Sequence, residues 1–497
     1  MGAVGRAAGS RALRLAEAGA DRLVAASPAR TALVAGVVGL VLAAGSIAVA
    51  GPWEGGRRTA ETARAAGPRR TPAPHPTATT PPRPPAPAVL RAAGGGSAPV
   101  PTRTGLERAL ADAMADPALG KVTAAITDAA TGRLLYGSGE TVPATPASTT
   151  KIGTTIAALT LLGPDHRLTT RVVREAGSGE VVLVGGGDPT LTALPRAKGA
   201  DPATAPASLR ELADRTAAAL KAAGTTSIRV GYDTSAYSGP GRNAYYDGEN
   251  LATVTALTTD EGRIDPHGAE AAARYADPAD HAAQTFAGLL RDHGLTVTAV
   301  RPATAPAGAA QLAQVQSPTL ARLVERLLTE SDNDLAEAVA RQAAIAAHRP
   351  ASFEGAAAAV RETLARAGVP LGGTELHDGS GLSRDNAIPP AVLTELLALA
   401  ASDDHPELRP VLSGLPVAGF TGTLQDRYTA TGSDSAAGLV RAKTGTLNGV
   451  NTLAGLVVDR DGRLLAFALM AGGGADAGTV RAALDRIAVH VAACGCR

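Results

Sequence analysis

Residues 31–50 contain no charged side chain, and this run of twenty residues constrains the organisation of the whole chain. A helix of this length spans roughly 30 Å at about 1.5 Å per residue, which matches the hydrocarbon thickness of a bilayer. Five arginines but only two acidic residues precede the run, so we expect residues 1–30 to form a cytoplasmic tail. Only the chain beyond the run can then fold into an exported body.

Two interpretations of this run are considered. We favour a retained transmembrane anchor over 31–51, because the apolar stretch is longer than is usual for a cleaved signal peptide. The alternative is cleavage after about Ala50, which would release the protein to the cell wall. Residues 52–102 are rich in Pro, Ala, Thr and Gly, and we expect them to form a disordered linker between the membrane and the body.

Charge and residue usage exclude several classes of function for the body. The 47 basic residues nearly balance the 46 acidic ones and form no basic block, which argues against a nucleic-acid partner. The nine histidines show no paired-ligand spacing, so we expect neither a metal site nor a cofactor. Cys494 and Cys496 are expected to lie in a frayed tail, because a loop of one residue would strain a disulfide.

Hydrophobic periodicity in the body predicts an α+β fold. We predict a helix over 106–114, two strands around a turn within 121–139, and a second helix from Ser148 to about Leu162. The middle of the chain shows strand-like runs between alanine-rich helical stretches, one of them at 252–259. Strands and a final helix return at the C-terminal end. We therefore expect helices packed on an antiparallel sheet that is built from both ends of the body.

Lysine is rare in this chain, and its few positions are therefore informative. There are five lysines among the 47 basic residues, and Lys151 stands three residues after Ser148 near the predicted start of a helix. Residues at i and i+3 share one face of a helix, so the hydroxyl and the amine can meet. A buried lysine can lose its proton and act as a base, which an arginine cannot do.

Two further motifs follow in order along the chain. Ser331 and Asn333 belong to an SDN motif, and Lys443 begins a KTGT motif. SxxK, SDN and KTG together form the signature of class A β-lactamases and penicillin-binding proteins. Each motif alone is a weak signal. The ordered set, with its members near a helix start, beside a helix and in a strand, is specific.

Around these motifs the chain resembles the class C low-molecular-mass penicillin-binding proteins, the D-alanyl-D-alanine carboxypeptidases/endopeptidases. The resemblance rests on PASTTK, GGGDPTL, SDNDLAEAVAR, DGSGLSRDN, LPVAGFTGTLQDR and AKTGTLNGV, and it covers about residues 103–490. It implies a β-lactamase/transpeptidase-like domain formed by 103–175 and 316–497, with a second domain inserted at 176–315. The long, motif-poor interval between the first two motifs agrees with such an insertion.

The resemblance also implies roles for the residues of the first two motifs. Ser148 would be the nucleophile that forms an acyl-enzyme, and Lys151 would take its proton. Ser331 would pass a proton to the leaving D-alanine nitrogen, and Asn333 would hold the peptide amide of the substrate. The substrates would be peptidoglycan stem peptides, and β-lactams would be covalent inhibitors.

The third motif would bind the substrate and place a positive charge beside the catalytic residues. Lys443 would contribute its ammonium, and Thr444, Gly445 and Thr446 would bind the terminal carboxylate of a D-Ala-D-Ala stem. The backbone N–H groups of Ser148 and Thr446 would form an oxyanion hole, worth about 3–4 kcal/mol per donor.

Two other functions are weighed against this one. A class A-like β-lactamase would share all three motifs, but no ExxLN-like loop that could activate a deacylating water lies between the first two. An inactive, wall-bound penicillin-binding scaffold would keep the fold without turnover, although the intact motifs argue against it.

Overall fold

A computed structural model of the protein describes residues 98–268, 271–429 and 432–497, which belong to one compact unit. The predicted tail, the predicted anchor and nearly all of the predicted linker lie outside the described residues. Among the residues that are described, no helix is both long and apolar enough to cross a membrane.

The described chain alternates between helices and strands. Its helices are α1 (Arg103–Met114), α2 (Thr150–Leu162), α3 (Leu209–Ala222), α4 (Pro278–Asp292), α5 (Leu320–Glu330), α6 (Asn333–Ala346), α7 (Phe353–Arg366), α8 (Pro390–Ala401), α9 (Arg409–Gly414) and α10 (Ala477–Ala492). Its strands are β1 (Lys121–Asp128), β2 (Leu134–Ser138), β3 (Thr169–Arg174), β4 (Glu180–Val184), β5 (Ser227–Asp233), β6 (Thr296–Pro302), β7 (Ala310–Gln316), β8 (Arg441–Leu447), β9 (Val450–Val458) and β10 (Leu464–Gly472).

The first sheet has the strand order β2-β1-β10-β9-β8, and all of its neighbouring strands are antiparallel. Strand β1 pairs with β10 along its whole length, from Lys121 opposite Gly472 to Asp128 opposite Leu465. Both ends of the body therefore meet in one sheet, as predicted, and helices flank it. Strand β8, which holds the KTGT motif, lies at the edge of this sheet.

Both faces of the first sheet are covered, and this explains the uninterrupted apolar sequence of β10. Successive side chains of a strand point to opposite faces. On one face Leu465 and Phe467 pack in a core that includes residues of α1 and α10. On the other face Ala466 and Ala468 pack with residues of α2, α5, α6 and α8. A strand buried on both sides has no position that favours a polar residue.

The second sheet has the order β6-β5-β4-β3-β7 and is mixed, with parallel pairs β4/β5 and β5/β6. Helices α3 and α4 supply residues to its core. Strand β3 (Thr169–Arg174) belongs to this sheet, pairing with both β4 and β7. The chain therefore enters the second sheet before residue 175, and the predicted boundary between 175 and 176 is placed too late.

The strand predicted at 252–259 is wrong. No described residue in this range lies in a strand, because other groups bind its backbone. The N–H of Ala252 donates to Asp334 Oδ1 at 2.8 Å, and the N–H of Val254 donates to the carbonyl of Gly241 at 2.8 Å. The apolar residues of this range, such as Leu257, are buried by an irregular segment, and their alternation does not indicate a strand.

The expectation of a frayed C-terminal tail is also wrong. Cys494 and Cys496 form a disulfide, and Cys494 is buried in the core beside α1 and α10. The carbonyl of Cys496 accepts a hydrogen bond from the N–H of Thr102 at 2.8 Å. The tail is held because it packs against the start of the body.

Candidate active site

The predicted serine–lysine pair lies where a short 3₁₀ turn, Ala147–Thr149, enters helix α2. The Nζ atom of Lys151 lies 2.8 Å from Ser148 Oγ, 2.7 Å from Asn333 Oδ1 and 2.7 Å from the carbonyl oxygen of Ser380. Lys151 is fully buried, whereas Ser148 is partly exposed. A substrate can therefore reach the hydroxyl while the amine stays away from water.

The contacts of Lys151 Nζ show how a neutral amine at this position could act as a base. A neutral amine has two N–H donors and one lone pair. Asn333 Oδ1 and the carbonyl of Ser380 can only accept, so they take the two N–H groups. Of these three groups, Ser148 also carries a proton that it can donate. The lone pair of the amine would then point at the proton of the serine hydroxyl, which is the arrangement that a general base needs.

The second motif forms the corner between α5 and α6. Ser331 has a left-handed backbone, with φ of 64°, and ends α5, while the side chain of Asp332 accepts from the N–H of Leu335 and begins α6. A left-handed conformation is strained for a residue other than glycine and often marks a functional site. Ala147, directly before the serine of the first motif, is also left-handed, with φ of 49°.

The third motif brings a second lysine to this corner. Lys443 is fully buried, and its Nζ atom lies 2.8 Å from Ser331 Oγ and 2.9 Å from the carbonyl of Thr444. The structure thus forms two serine–lysine contacts, Ser148 with Lys151 and Ser331 with Lys443. All five residues predicted to be catalytic are joined in these two groups, since Asn333 contacts Lys151.

The remaining residues of the KTGT motif line the edge strand β8. The hydroxyl of Thr444 donates to Thr423 Oγ1 at 2.7 Å, and Thr446 is exposed. A Cβ atom at Gly445 would lie 2.7 Å from the carbonyl oxygen of Pro146 and 3.1 Å from Ala147 Cβ. Glycine is therefore required at 445, because the strand passes directly against the turn that holds the serine.

Sequence reasoning missed the loop that supports Lys151 from the other side. Glu337 on α6 accepts hydrogen bonds from the N–H groups of Gly379 and Ser380, and the carbonyl of Ser380 binds Lys151. Burial, followed by the charge of Asp378, raises the pKa of Glu337 to about 7. The position of Glu337 four residues after Asn333, on the same face of a helix, was the available signal.

Three acidic residues behind the second motif are balanced by arginines. The carboxylates of Glu261, Asp332 and Asp334 lie together within 4.8 Å and are buried. Arg274 pairs with Asp334 at 3.0 Å, and Arg326 pairs with both Glu261 and Asp332. Burial, followed by the charge of Asp332, raises the pKa of Asp334 to about 6. This cluster is an ion network that ties the start of α6 to the segment before α4.

A buried serine–lysine pair, a second serine–lysine contact and a KTGT edge strand on an antiparallel sheet define the class of penicillin-recognising serine enzymes. Within that class, the chain belongs to the D-Ala-D-Ala carboxypeptidase 3 (S13) family, whose sequence profile matches residues 106–273 and 261–491. The protein is therefore a peptidase of this family, as its sequence motifs predicted.

Relatives of similar length support this assignment. The chain is 43% identical over 412 residues to carboxypeptidase DacB of Mycolicibacterium smegmatis, covering 80% of this chain and 86% of the relative. It is 40% identical over 435 residues to a carboxypeptidase of Mycobacterium tuberculosis, covering 86% and 91% of the two chains.

A solved structure shares the fold. Penicillin-binding protein 4 of Haemophilus influenzae superposes with a TM-score of 0.61 at 23% identity, over 78% of this chain and 97% of that one. This likeness supports the α+β architecture independently of the motifs.

Proposed function

We propose that this protein is a serine DD-peptidase that cleaves peptidoglycan stem peptides after the penultimate D-alanine. It would act as a D-Ala-D-Ala carboxypeptidase, as a cross-link endopeptidase, or as both. The observation that supports this most directly is the contact between the Nζ atom of the buried Lys151 and Ser148 Oγ, at 2.8 Å. The family assignment favours a peptidase over the class A-like β-lactamase.

In the proposed mechanism, Lys151 removes the proton of Ser148 as the hydroxyl oxygen attacks the carbonyl carbon of the penultimate D-alanine. The backbone N–H groups of Ser148 and Thr446 stabilise the resulting oxyanion. Asn333 holds Lys151 through Oδ1 and orients the peptide amide of the substrate. The tetrahedral intermediate then collapses to an acyl-serine.

The leaving D-alanine nitrogen must gain a proton as its bond to carbon breaks. Ser331 supplies this proton, and Lys443, 2.8 Å from Ser331 Oγ, favours the transient loss of the serine proton through its positive charge. Thr446 binds the terminal carboxylate beside Gly445, and Thr444, whose hydroxyl donates to Thr423, supports the same strand. Water then hydrolyses the acyl-serine, whereas a β-lactam leaves an acyl group that is released slowly.

The site is tested by incubating the full-length protein with penicillin and measuring the intact mass beside the Ser148→Ala variant. We expect one adduct per chain that persists in the wild type and is lost in the variant. Rapid penicillin turnover without a persistent adduct would favour the β-lactamase. A stable adduct with neither release of D-alanine from a stem peptide nor cleavage of a cross-linked dimer would favour the inactive scaffold.

We also propose that residues 31–51 anchor the protein in the cell membrane with its body outside the cytoplasm. The uncharged run and the arginine-rich tail before it support this proposal. Fractionation of cells is expected to recover the protein with membranes. Recovery from the culture medium or the wall, with a chain beginning near Gly51, would favour cleavage instead.

A further inference from the structure

The exposed end of the KTGT motif has a basic neighbour that lies far along the sequence. Arg481 on helix α10 donates from Nη2 to the hydroxyl of Thr446 at 3.3 Å. Both side chains are exposed, whereas Lys443 in the same motif is fully buried. Thr446 directly follows Gly445, which packs against the turn that bears the nucleophile. The guanidinium therefore lies at the rim of the active site.

The Nζ atoms of both lysines of the site are directed inward. Lys443 Nζ binds Ser331 Oγ and the carbonyl of Thr444, and Lys151 Nζ binds groups around the nucleophile. Thr444 uses its own hydroxyl proton on Thr423. Arg481 is exposed and contacts Thr446, so a substrate carboxylate that binds the hydroxyl of Thr446 would lie beside the positive charge of Arg481.

Arg481 is also distinct from the other arginines around it. Arg427 forms an ion pair with Asp485, and Arg486 forms one with Asp116. Within the described part of the chain, no carboxylate lies within the 4.0 Å ion-pair distance of Arg481. Its charge remains available for a ligand.

We propose that Arg481 is a specificity-determining residue that binds the C-terminal carboxylate of the substrate together with the hydroxyl of Thr446. This inference rests on the proposed function and extends it. A guanidinium presents two parallel N–H donors that match the two oxygens of a carboxylate. The pair therefore selects substrates that end in a free carboxylate over those that end in an amide, which has one oxygen acceptor and carries no charge.

The test compares two peptides that differ only at their C-terminus, one ending in D-Ala-D-Ala with a free carboxylate and one ending in D-Ala-D-alaninamide. The ratio of their kcat/KM values is measured for the full-length wild type, Arg481→Ala and Arg481→Lys. A charge-assisted hydrogen bond supports an expected loss of about 10- to 100-fold for the acid in Arg481→Ala. The value for the amide is expected to stay within about twofold, and Arg481→Lys is expected to fall between wild type and Arg481→Ala.

Arg486→Ala is the matched control, because Arg486 lies on the same helix and is exposed but is paired with Asp116. We expect this variant to keep the acid-to-amide ratio of the wild type. An unchanged ratio in Arg481→Ala, with an active wild type, would overturn the inference alone. Cleavage of neither peptide by the wild type would overturn the proposed function and this inference with it.

Discussion

Glu337 lies one helical turn beyond Asn333 on α6, and its carboxylate is fully buried. It accepts hydrogen bonds from the backbone N–H groups of Gly379, at 3.1 and 3.2 Å, and of Ser380, at 2.8 Å. Burial, followed by the charge of Asp378, raises its pKa to about 7. We predict that Glu337→Gln changes the pH dependence of the unfolding free energy.

The sign of the effect follows from proton binding. In the unfolded chain the carboxyl of Glu337 ionises near its ordinary pKa of 4.5, whereas in the folded protein it keeps its proton to about pH 7. Between these values the folded state binds more protons, so this group lowers the stability of the wild type as pH rises. At about 1.4 kcal/mol per pKa unit, the loss is about 3 kcal/mol and is complete above pH 7.

Glutamine does not titrate, so the variant lacks this loss. Its amide oxygen, placed where Oε1 lies, can accept from both backbone N–H groups, but its buried NH₂ then faces the N–H of Gly379. A buried N–H without an acceptor costs about 1–3 kcal/mol, and we expect the variant to be less stable than the wild type by that amount at pH 4. At pH 8 the difference is expected to vanish or reverse, because the wild type has by then lost about 3 kcal/mol.

The assay is urea unfolding of both proteins at several pH values between 4 and 8. Glu362→Gln is the control, because Glu362 forms an exposed pair with Arg349. Its difference from the wild type is expected to stay within about 0.5 kcal/mol at every pH. A constant difference between Glu337→Gln and the wild type across this range would refute the reasoning about the buried carboxylate.

Three other substitutions test the site and its support. Lys151→Arg is expected to slow acylation by a chromogenic β-lactam at least about 10²-fold, since a guanidinium cannot accept the serine proton. The control is Lys221→Arg, at an exposed position, which should be acylated as fast as the wild type. Equal acylation rates for the two variants would contradict the assignment of Lys151 as the base. Gly445→Ala is expected to lower the unfolding free energy by about 1–3 kcal/mol and to slow acylation, because its Cβ would press on the turn before the nucleophile. Gly472→Ala, whose Cβ would meet nothing within 4 Å, is the control, and similar losses in both would argue against the close approach. Arg274→Met is expected to cost about 3–5 kcal/mol in urea unfolding, because it leaves a buried carboxylate without its arginine; a loss below 1 kcal/mol would show that the ion pair is not needed.

Much of the site could be predicted from the sequence, because its motifs are short and each depends on local geometry. Ser148 and Lys151 meet because they are three residues apart at the start of a helix. Lys443 was recognisable because it begins a KTGT motif in a strand. The antiparallel sheet built from both ends of the body followed from apolar strand patterns at those ends.

Other features depend on which segments meet, and local patterns do not encode this. Strand β3 has the short, mixed sequence TTRVVR, and only its pairing with β4 and β7 assigns it to the second sheet. The apolar alternation at 252–259 predicted a strand, but hydrogen bonds to Asp334 and to a neighbouring loop hold this segment irregular. The tail cysteines were misjudged because their burial against α1 depends on packing between the two ends of the body.

The sequence by itself determined the chemistry of this protein, since a serine, a lysine and their spacing along one helix define a nucleophile and a base. Only the tertiary structure decided how that base is held. Asn333, the carbonyl of Ser380 and the carboxylate of Glu337 reach Lys151 or its supporting loop from distant parts of the chain. Arg481 reaches Thr446 in the same way. The physical reason is that spacing along a helix fixes contacts within a few residues, whereas contacts between distant segments arise only when burial of the shared core brings those segments together.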